Sequence, residues 1–252
     1  MATLSVATLN IRNLADRWDE RLPLLLADMS ALQPDVLGLQ EVVYPLQQDR
    51  LIGAAGEGRY EAFRGWAGRP EYGNAMLVRQ PLAASVAGAE RLELELNRSA
   101  LRLVVTRDGV SVLVAVTHLH HVPADEGLRD DQARQLMEWL DAAPPTDAQF
   151  VVGDFNAEPS EPAVNRIRSN GFRSAYAEAN GADPEVTWPS GLQAPGMDTD
   201  GDPGCLDYIW VRGAVRVARA RLAWDRPAVG DPTLYASDHV GLIAELAVGE
   251  GG

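Results

Sequence analysis

At 252 residues, 46% hydrophobic and 23% charged, the chain is long enough to bury a substantial apolar core, and its composition excludes a largely disordered protein. The formal net charge is −14 and all 22 basic residues are arginine, which excludes a Walker-type phosphate loop and lysine Schiff-base chemistry together. The acid excess also opposes general attraction to duplex nucleic acid, whose binders carry a basic patch or stripe.

Cys205 is the single cysteine, so no disulfide framework supports secretion. The opening MATLSVATLNIR lacks a basic segment followed by an apolar stretch, and no run reaches the roughly 18 apolar residues of a membrane span. A cytoplasmic protein without integral membrane association is expected, with one domain over residues 1–248 and a flexible tail over 249–252. Asn97-Arg98-Ser99 matches a glycosylation sequon, which matters only in a secreted chain.

In chain order, Leu4 to Asn10 alternates as a strand. Arg17 to Leu32 carries Leu22, Leu25, Leu26, Met29 and Leu32 at helical spacing before Pro34, and Asp35 to Val42 reads as a buried strand. This is a β-α-β opening. Short runs at Tyr60 to Gly65, Asn74 to Arg79, Leu101 to Arg107 and Val110 to Thr117 predict mostly antiparallel strands, the last two joined by a hairpin turn at Asp108-Gly109. Leu128 to Leu140 and Glu161 to Ser169 predict helices on either side of a short central strand, Phe150 to Gly153. After a loop from Pro189 to Gly204, strands are expected at Leu206 to Val211, Val215 to Ala223 and Val240 to Ala247. Two runs of strands with helices outside them suggest two sheets packed face to face.

Polar residues suited to a metal site fall at the ends of these strands: Asn10, Glu41, His118, Asp154, Asn156, Asp207, Asp238 and His239. If Gly153-Asp154-Phe155-Asn156 is extended, Asp154 and Asn156 face one point and Phe155 enters the core. A carboxylate and an amide there can position a water and donate to developing negative charge; the alternative is a polar turn closed by an Asx hydrogen bond. Glu41 ends an apolar strand, where a carboxylate needs either solvent or a hard cation such as Mg²⁺. An Asp beside a His orients the ring and raises its basicity, as a general base requires, and that pairing is assigned to Asp207 and His239. His118 closes its strand and could donate to a scissile phosphate. His120 competes with it if the strand continues, while His121 reads as a rim residue; both also read as plain loop histidines.

ATLNIR, LGLQEV, GNAMLVR, VTHLHH, VVGDFNAEP, CLDYIWV and SDHVGL, in this order over residues 8–242, resemble the motifs of the endonuclease/exonuclease/phosphatase superfamily. The resemblance implies a four-layer α-β-β-α sandwich of two mixed sheets, within the α/β class, and a hydrolase that uses Mg²⁺ or Mn²⁺ for in-line attack of water on a phosphodiester or phosphomonoester. It implies Glu41 as metal ligand with Asn10 and Asp238 close by, Asp154 and Asn156 positioning nucleophile and transition state, His118 on the phosphate, and Asp207 orienting His239. Asn10, Arg12, Asn74 and His120 would meet the substrate. Some members carry an acidic residue where this chain has Arg12, which puts a cation beside the expected phosphate and argues against a second metal there.

Among rival readings, His118-Leu119-His120-His121 fails the spacing of a binuclear zinc site because Val122 follows, and Ser237 lacks a nucleophile elbow. Asp198 to Asp202 begins like a calcium loop, but Pro203 stands where glycine is needed. A non-catalytic phosphate-binding module on the same fold and a nuclease remain the alternatives. Acidity and the absence of long basic insertions favour a small phosphoester or lipid head group over duplex DNA.

Overall fold

The alternation of the first residues produces β1 (Ala2–Asn10), and the stripe Arg21, Leu25, Met29 gives α1 (Trp18–Leu32) one buried face. In the computed structural model, which describes residues 1–197 and 201–249, α1 crosses over to bring β2 (Val36–Val43) parallel to β1. There follow α2 (Leu46–Ala55), β3 (Tyr60–Gly65), β4 (Tyr72–Arg79), β5 (Ala87–Leu94), β6 (Arg98–Arg107) and β7 (Val110–His118). After these come α3 (Glu126–Asp141), β8 (Ala148–Asp154), α4 (Pro162–Ser169), β9 (Arg173–Ser174), α5 (Ala175–Asn180), β10 (Asp207–Gly213), β11 (Val215–Ala223) and β12 (Gly241–Val248).

The strands form two mixed six-stranded sheets, ordered β11-β12-β1-β2-β4-β3 and β5-β6-β7-β8-β10-β9. Each has one parallel pair at its centre, β1 with β2 and β7 with β8, and antiparallel strands elsewhere. Leu4, Val6, Met76, Leu103, Val114, Val152 and Ile209 belong to the core between the sheets. Leu25, Met29 and Leu51 of α1 and α2 pack on the outside of the first sheet, and Leu136, Met137 and Ile167 of α3 and α4 on the outside of the second. The layers are therefore α-β-β-α. Where the sheets come closest stands Gly38: a Cβ there would lie 2.4 Å from Val152 Cγ2, so only glycine lets β2 approach β8.

Elements that differ from expectation have physical reasons. α2 went unread because its buried face carries Gln47 and Gln48 beside Leu51 and Ala55, which breaks the apolar period. β5 is an edge strand with mostly exposed side chains, so it has no hydrophobic signature. The hairpin turn holds as read: Asp108 (φ 51°) and Gly109 (φ 78°) are both left-handed and close Arg107 against Val110. β8 stops at Asp154 and β7 at His118, so neither strand continues through Asn156 or His120. The calcium-like spacing begins on Asp198 to Asp200, which lie outside the described residues, as do Glu250 to Gly252 of the tail. Among the described residues no helix is long and apolar enough to cross a membrane.

At the rim where β2 begins, the buried carboxylate of Asp35 joins both sheets. It accepts from the Ser5 backbone N–H of β1 (2.9 Å), from Arg79 of β4 (2.5 Å) and from Arg107 of β6 (2.9 Å). Burial alone would raise its pKa, but Arg107, Ser5 and Arg79 outweigh it and hold the group well below the usual carboxylate range. A depressed folded-state pKa means stability that is complete above the ordinary value near 4 and lost as pH falls through the folded one. Asp35→Asn should therefore cost about 3 kcal/mol in urea titrations at neutral pH. The gap to the wild type should narrow in titrations at about pH 3.

Candidate active site

Both parallel pairs point the same way, so their C-terminal ends meet at one rim. Asn10 ends β1, Glu41 lies near the end of β2, His118 ends β7, and Asp154 ends β8. The antiparallel neighbours arrive at the same rim from the other direction, so they contribute their beginnings: Asp207 opens β10 opposite Asp154, and His239 precedes β12. Local backbone makes the convergence possible. Gly153 (φ 147°) would place a Cβ 2.0 Å from the Thr117 carbonyl oxygen, so glycine is required for β8 to lie this close to β7 beside Asp154. Arg12, Asn13, Glu41 and Asn156 all hold left-handed backbone conformations that non-glycine residues adopt at a cost.

Asn10, Arg12, Glu41, His118, Asp154, Asn156 and His239 line a cleft of about 910 Å³, while Asp207 and Asp238 are buried outside its lining. At its floor the Asn10 amide Nδ2 donates to Asp154 Oδ2 (3.0 Å) and faces Glu41 Oε1 (3.3 Å), joining the two sheets through one amide between two carboxylates. The other Glu41 oxygen accepts from Asn13 Nδ2 at 2.7 Å. Asp154 Oδ1 accepts the Asn156 N–H (2.9 Å), and the Asn156 amide donates to the Leu119 carbonyl (3.1 Å). His239 Nδ1 lies 2.9 Å from Asp207 Oδ2, while its Nε2 lies 3.6 Å from Asp154 Oδ2. Burial disfavours a charged His239 ring, but the carboxylates of Asp207 and Asp154 flank it and raise its pKa. Burial raises the Asp154 carboxyl in turn, against the pull of His239.

On the other wall, His118 Nε2 is 2.9 Å from Arg98 Nη1 and 3.4 Å from Asp154 Oδ2. Burial, then the Arg98 charge, hold its pKa well below the usual value, so the ring is neutral. Arg98 Nη2 also meets His121 Nδ1 at 2.8 Å, and His120 Nε2 meets Asp125 Oδ2 at 2.8 Å.

Some expected site residues stand elsewhere. Asn74 does not line the cleft; it is buried, its Nδ2 donating to the Ser99 carbonyl (2.8 Å) and its carbonyl accepting from Tyr44. Asp154 and Asn156 do not share an extended face, because Asn156 (φ 49°) closes the Asx hydrogen bond instead, while Phe155 is buried as expected. His120 lines the cleft from the loop rather than from the strand. Asp238 sits behind Arg12, whose Nη1 is 3.4 Å from its Oδ2 and whose Nε pairs with Asp16 at 2.7 Å. Asp154, Asp207 and His239 are grouped closely enough to hold a metal ion, but the three histidines from His118 to His121 do not belong to that group.

Sequence reasoning passed over Asn13, Arg98, Thr187 and Arg21. Thr187 Oγ1 accepts the backbone N–H groups of Leu206 (2.9 Å) and Asp207 (3.1 Å) and so fixes the start of β10. Arg21 is fully buried with no carboxylate bonded to it among the described residues, and its five N–H bonds are spread over six carbonyl oxygens: Ile11, Arg12, Asn13, Ala15, Asp16 and Ala236. It ties the loop that carries Arg12 and Asn13 to the segment leading into Asp238 and His239. Its place on the stripe with Leu25 and Met29 was the available signal. Burial pushes its pKa down to about 10, still charged at neutral pH. Arg21→Met keeps the apolar stem but strands those carbonyls, and should lower stability by about 3 kcal/mol in chemical denaturation.

Comparison with known proteins places the fold. The model of the Endonuclease/Exonuclease/phosphatase family matches residues 7–239. Human Nocturnin is 28% identical over 266 residues, covering 93% of this chain but 59% of its own length, so the chain spans little more than half of that relative. The human Nocturnin catalytic domain with bound sulfate superposes with a TM-score of 0.78 at 24% identity, over 98% of this chain and 94% of that one. D. rerio TDP2 complexed with a single-strand DNA product superposes with a TM-score of 0.78 at 19% identity, over 98% and 100%. At these identities the two structures speak to fold, and with the family match across nearly its whole length the chain belongs to the endonuclease/exonuclease/phosphatase family.

Proposed function

We propose that the chain is a divalent-metal-dependent phosphoesterase that cleaves a small phosphoester, or the end of a larger one, by in-line attack of water. The observation that carries this reading is the Asn10 amide held between Glu41 and Asp154, with His239 in the same cleft and backed by the buried Asp207. Glu41 offers hard oxygen donors, and its side-chain partners are neutral groups, the amides of Asn10 and Asn13 and the phenol of Tyr72, so its charge is left for Mg²⁺ or Mn²⁺. Glu41 would hold that ion with Asn10 next to it, and the ion would neutralise charge on the phosphoryl and leaving oxygens. Asp238 is a weaker candidate because Arg12 already occupies it. In the Asp154–Asp207–His239 group the ring nitrogen is engaged by Asp207 at hydrogen-bond distance, which suits proton transfer better than metal ligation.

The remaining steps belong to the chain's own residues. Flanked by two carboxylates, His239 keeps its proton and donates from Nε2 toward a phosphoryl oxygen. Asp154, made more basic by burial, accepts the proton that the attacking water gives up. The general base thus moves from His239 to Asp154, while Asp207 keeps its orienting role. Asn10 donates to Asp154 and holds it in place.

The cleft also bears on substrate size. Arg12, Arg69 and Arg98 line it together with Glu126, Glu158 and Asp202, in a chain of net charge −14. A continuous polyanion would meet more of these carboxylates than a small ester or lipid head group would. A single-strand end is the other occupant that fits, as the TDP2 complex with single-strand DNA product illustrates for that protein.

The test is hydrolysis of bis-p-nitrophenyl phosphate and p-nitrophenyl phosphate with Mg²⁺, Mn²⁺ or EDTA. Turnover should require metal and fall about a thousandfold in both Asp154→Asn and His239→Ala. The acidic limb of the wild-type pH–rate profile should sit above the ordinary carboxylate range and vanish in Asp154→Asn. Metal-independent turnover would overturn the divalent-metal reading, and no turnover on these esters, nucleic acids, inositol phosphates and phospholipids would replace the enzyme reading with that of a phosphate-binding module.

A further inference from the structure

The cations of the cleft are not equivalent. Arg129 is buried and saturated, bonded to Glu161 (2.7 Å) and to the carbonyls of Val122 and Pro123. Arg12 is held by Asp16 at 2.7 Å and Asp238 at 3.4 Å, so its charge is largely cancelled. Arg69 is exposed, with no side-chain ion pair found among the described residues. Arg98 differs from all three. It is half-buried at the start of β6, paired across the strands with Leu94, and reached through a tight turn in which Leu96 (φ 56°) and Asn97 (φ 57°) are both left-handed. Its guanidinium is fixed at two points, by His118 Nε2 at 2.9 Å and His121 Nδ1 at 2.8 Å, and no carboxylate pairs with it among the described residues.

A guanidinium has donors only, so each ring nitrogen facing it must present a lone pair. Both imidazoles accept from Arg98 without cancelling its charge, which makes it a rigidly held positive group that still needs an anion. Its place is defined, since the His118 nitrogen that receives it lies 3.4 Å from Asp154 Oδ2. The same contact occupies the His118 lone pair that faces the site and puts that ring's proton on Nδ1. In this contact His118 accepts at Nε2 rather than donating there.

We propose that Arg98 is the phosphate-binding cation of the cleft, contacting the non-bridging oxygens of the substrate, with His118 and His121 as the positioning residues that aim it. This rests on the phosphoesterase reading for its substrate class, although phosphate binding can be read without turnover. Planar, forked donors fixed in advance suit a tetrahedral oxyanion better than a flexible ammonium would.

The experiment is calorimetric titration of inorganic phosphate into the full chain in Mg²⁺ buffer, alongside kcat and KM on bis-p-nitrophenyl phosphate. Arg98→Gln should weaken phosphate binding and lower kcat/KM by about tenfold or more, the loss typical of one charge-assisted hydrogen bond. Arg98→Lys should fall between it and the wild type, and Arg69→Gln should stay within about twofold, as expected for an exposed, unaimed charge. His121→Leu should weaken phosphate binding without changing the melting temperature. His121→Gln, whose amide oxygen also accepts from a guanidinium, should restore it. Wild-type phosphate affinity in Arg98→Gln, or no saturable phosphate binding by the wild type, would overturn the assignment. Weakened phosphate binding in a chain that hydrolyses nothing would instead overturn the phosphoesterase reading and leave the Arg98 site standing.

Discussion

The arrangement of the rim depends on one buried charge. Arg21 comes from the first helix and gives its N–H groups to carbonyls on both sides of the site, five in the loop after β1 and one just before Ser237. A guanidinium buried without a counter-ion is costly, and carbonyl dipoles are what make it tolerable here. The constraint works in both directions. The loop supplies the oxygens the charge needs, and the charge fixes a loop whose left-handed residues at Arg12, Asn13, Asp16 and Arg17 would otherwise relax. Ser237 reinforces the link, its hydroxyl donating to the Asn10 carbonyl at 2.6 Å.

Around that frame the site concentrates acid in a chain already rich in it. Asp154, Asp207 and Asp238 are all nearly or fully buried, and half-buried Glu41 lies beside them. Their partners are the Asn10 and Asn13 amides and the Tyr72 phenol for Glu41, the Asn10 amide and a backbone N–H for Asp154, an imidazole for Asp207, and a guanidinium for Asp238. The pKa shifts of Asp154 and His239 follow from this division, because the ring stands between two carboxylates and the carboxylate is shut off from water. Acid at the rim and the absence of lysine leave arginine as the available permanent cation, and its environment decides whether its charge is spent or kept.

Much of the sandwich was legible because its central strands are apolar and its long helices periodic. Val110 to Thr117 and Leu128 to Leu140 each fall within an element of the fold. Elements whose buried face is polar, as in α2, or whose faces are both wet, as in β5, carry no such pattern. At the site, the Asp207–His239 contact could be anticipated because carboxylate and imidazole are complementary types at strand ends. Asn74, which the family resemblance implied as a substrate contact, is instead bonded to the buried Ser99 carbonyl, a partner 25 residues away. The roles of Arg21 and Arg98 depend on partners from five to more than two hundred residues away, and one arginine among 22 gives no sign of such partners.

The sheet order carries a further consequence for how the protein comes together. β12 lies between β11 and β1, pairing Ala2 with Val248 and Thr8 with Leu242, so the two ends of the chain close the first sheet upon each other. Each central parallel pair can form around its own crossover helix, but His239 reaches Asp154 only once this last strand has been laid against the first. Pairings of such long sequence separation are slow to find. A chain emerging from the ribosome would thus hold most of this sandwich while lacking its chemistry, gaining it only when β12 docks.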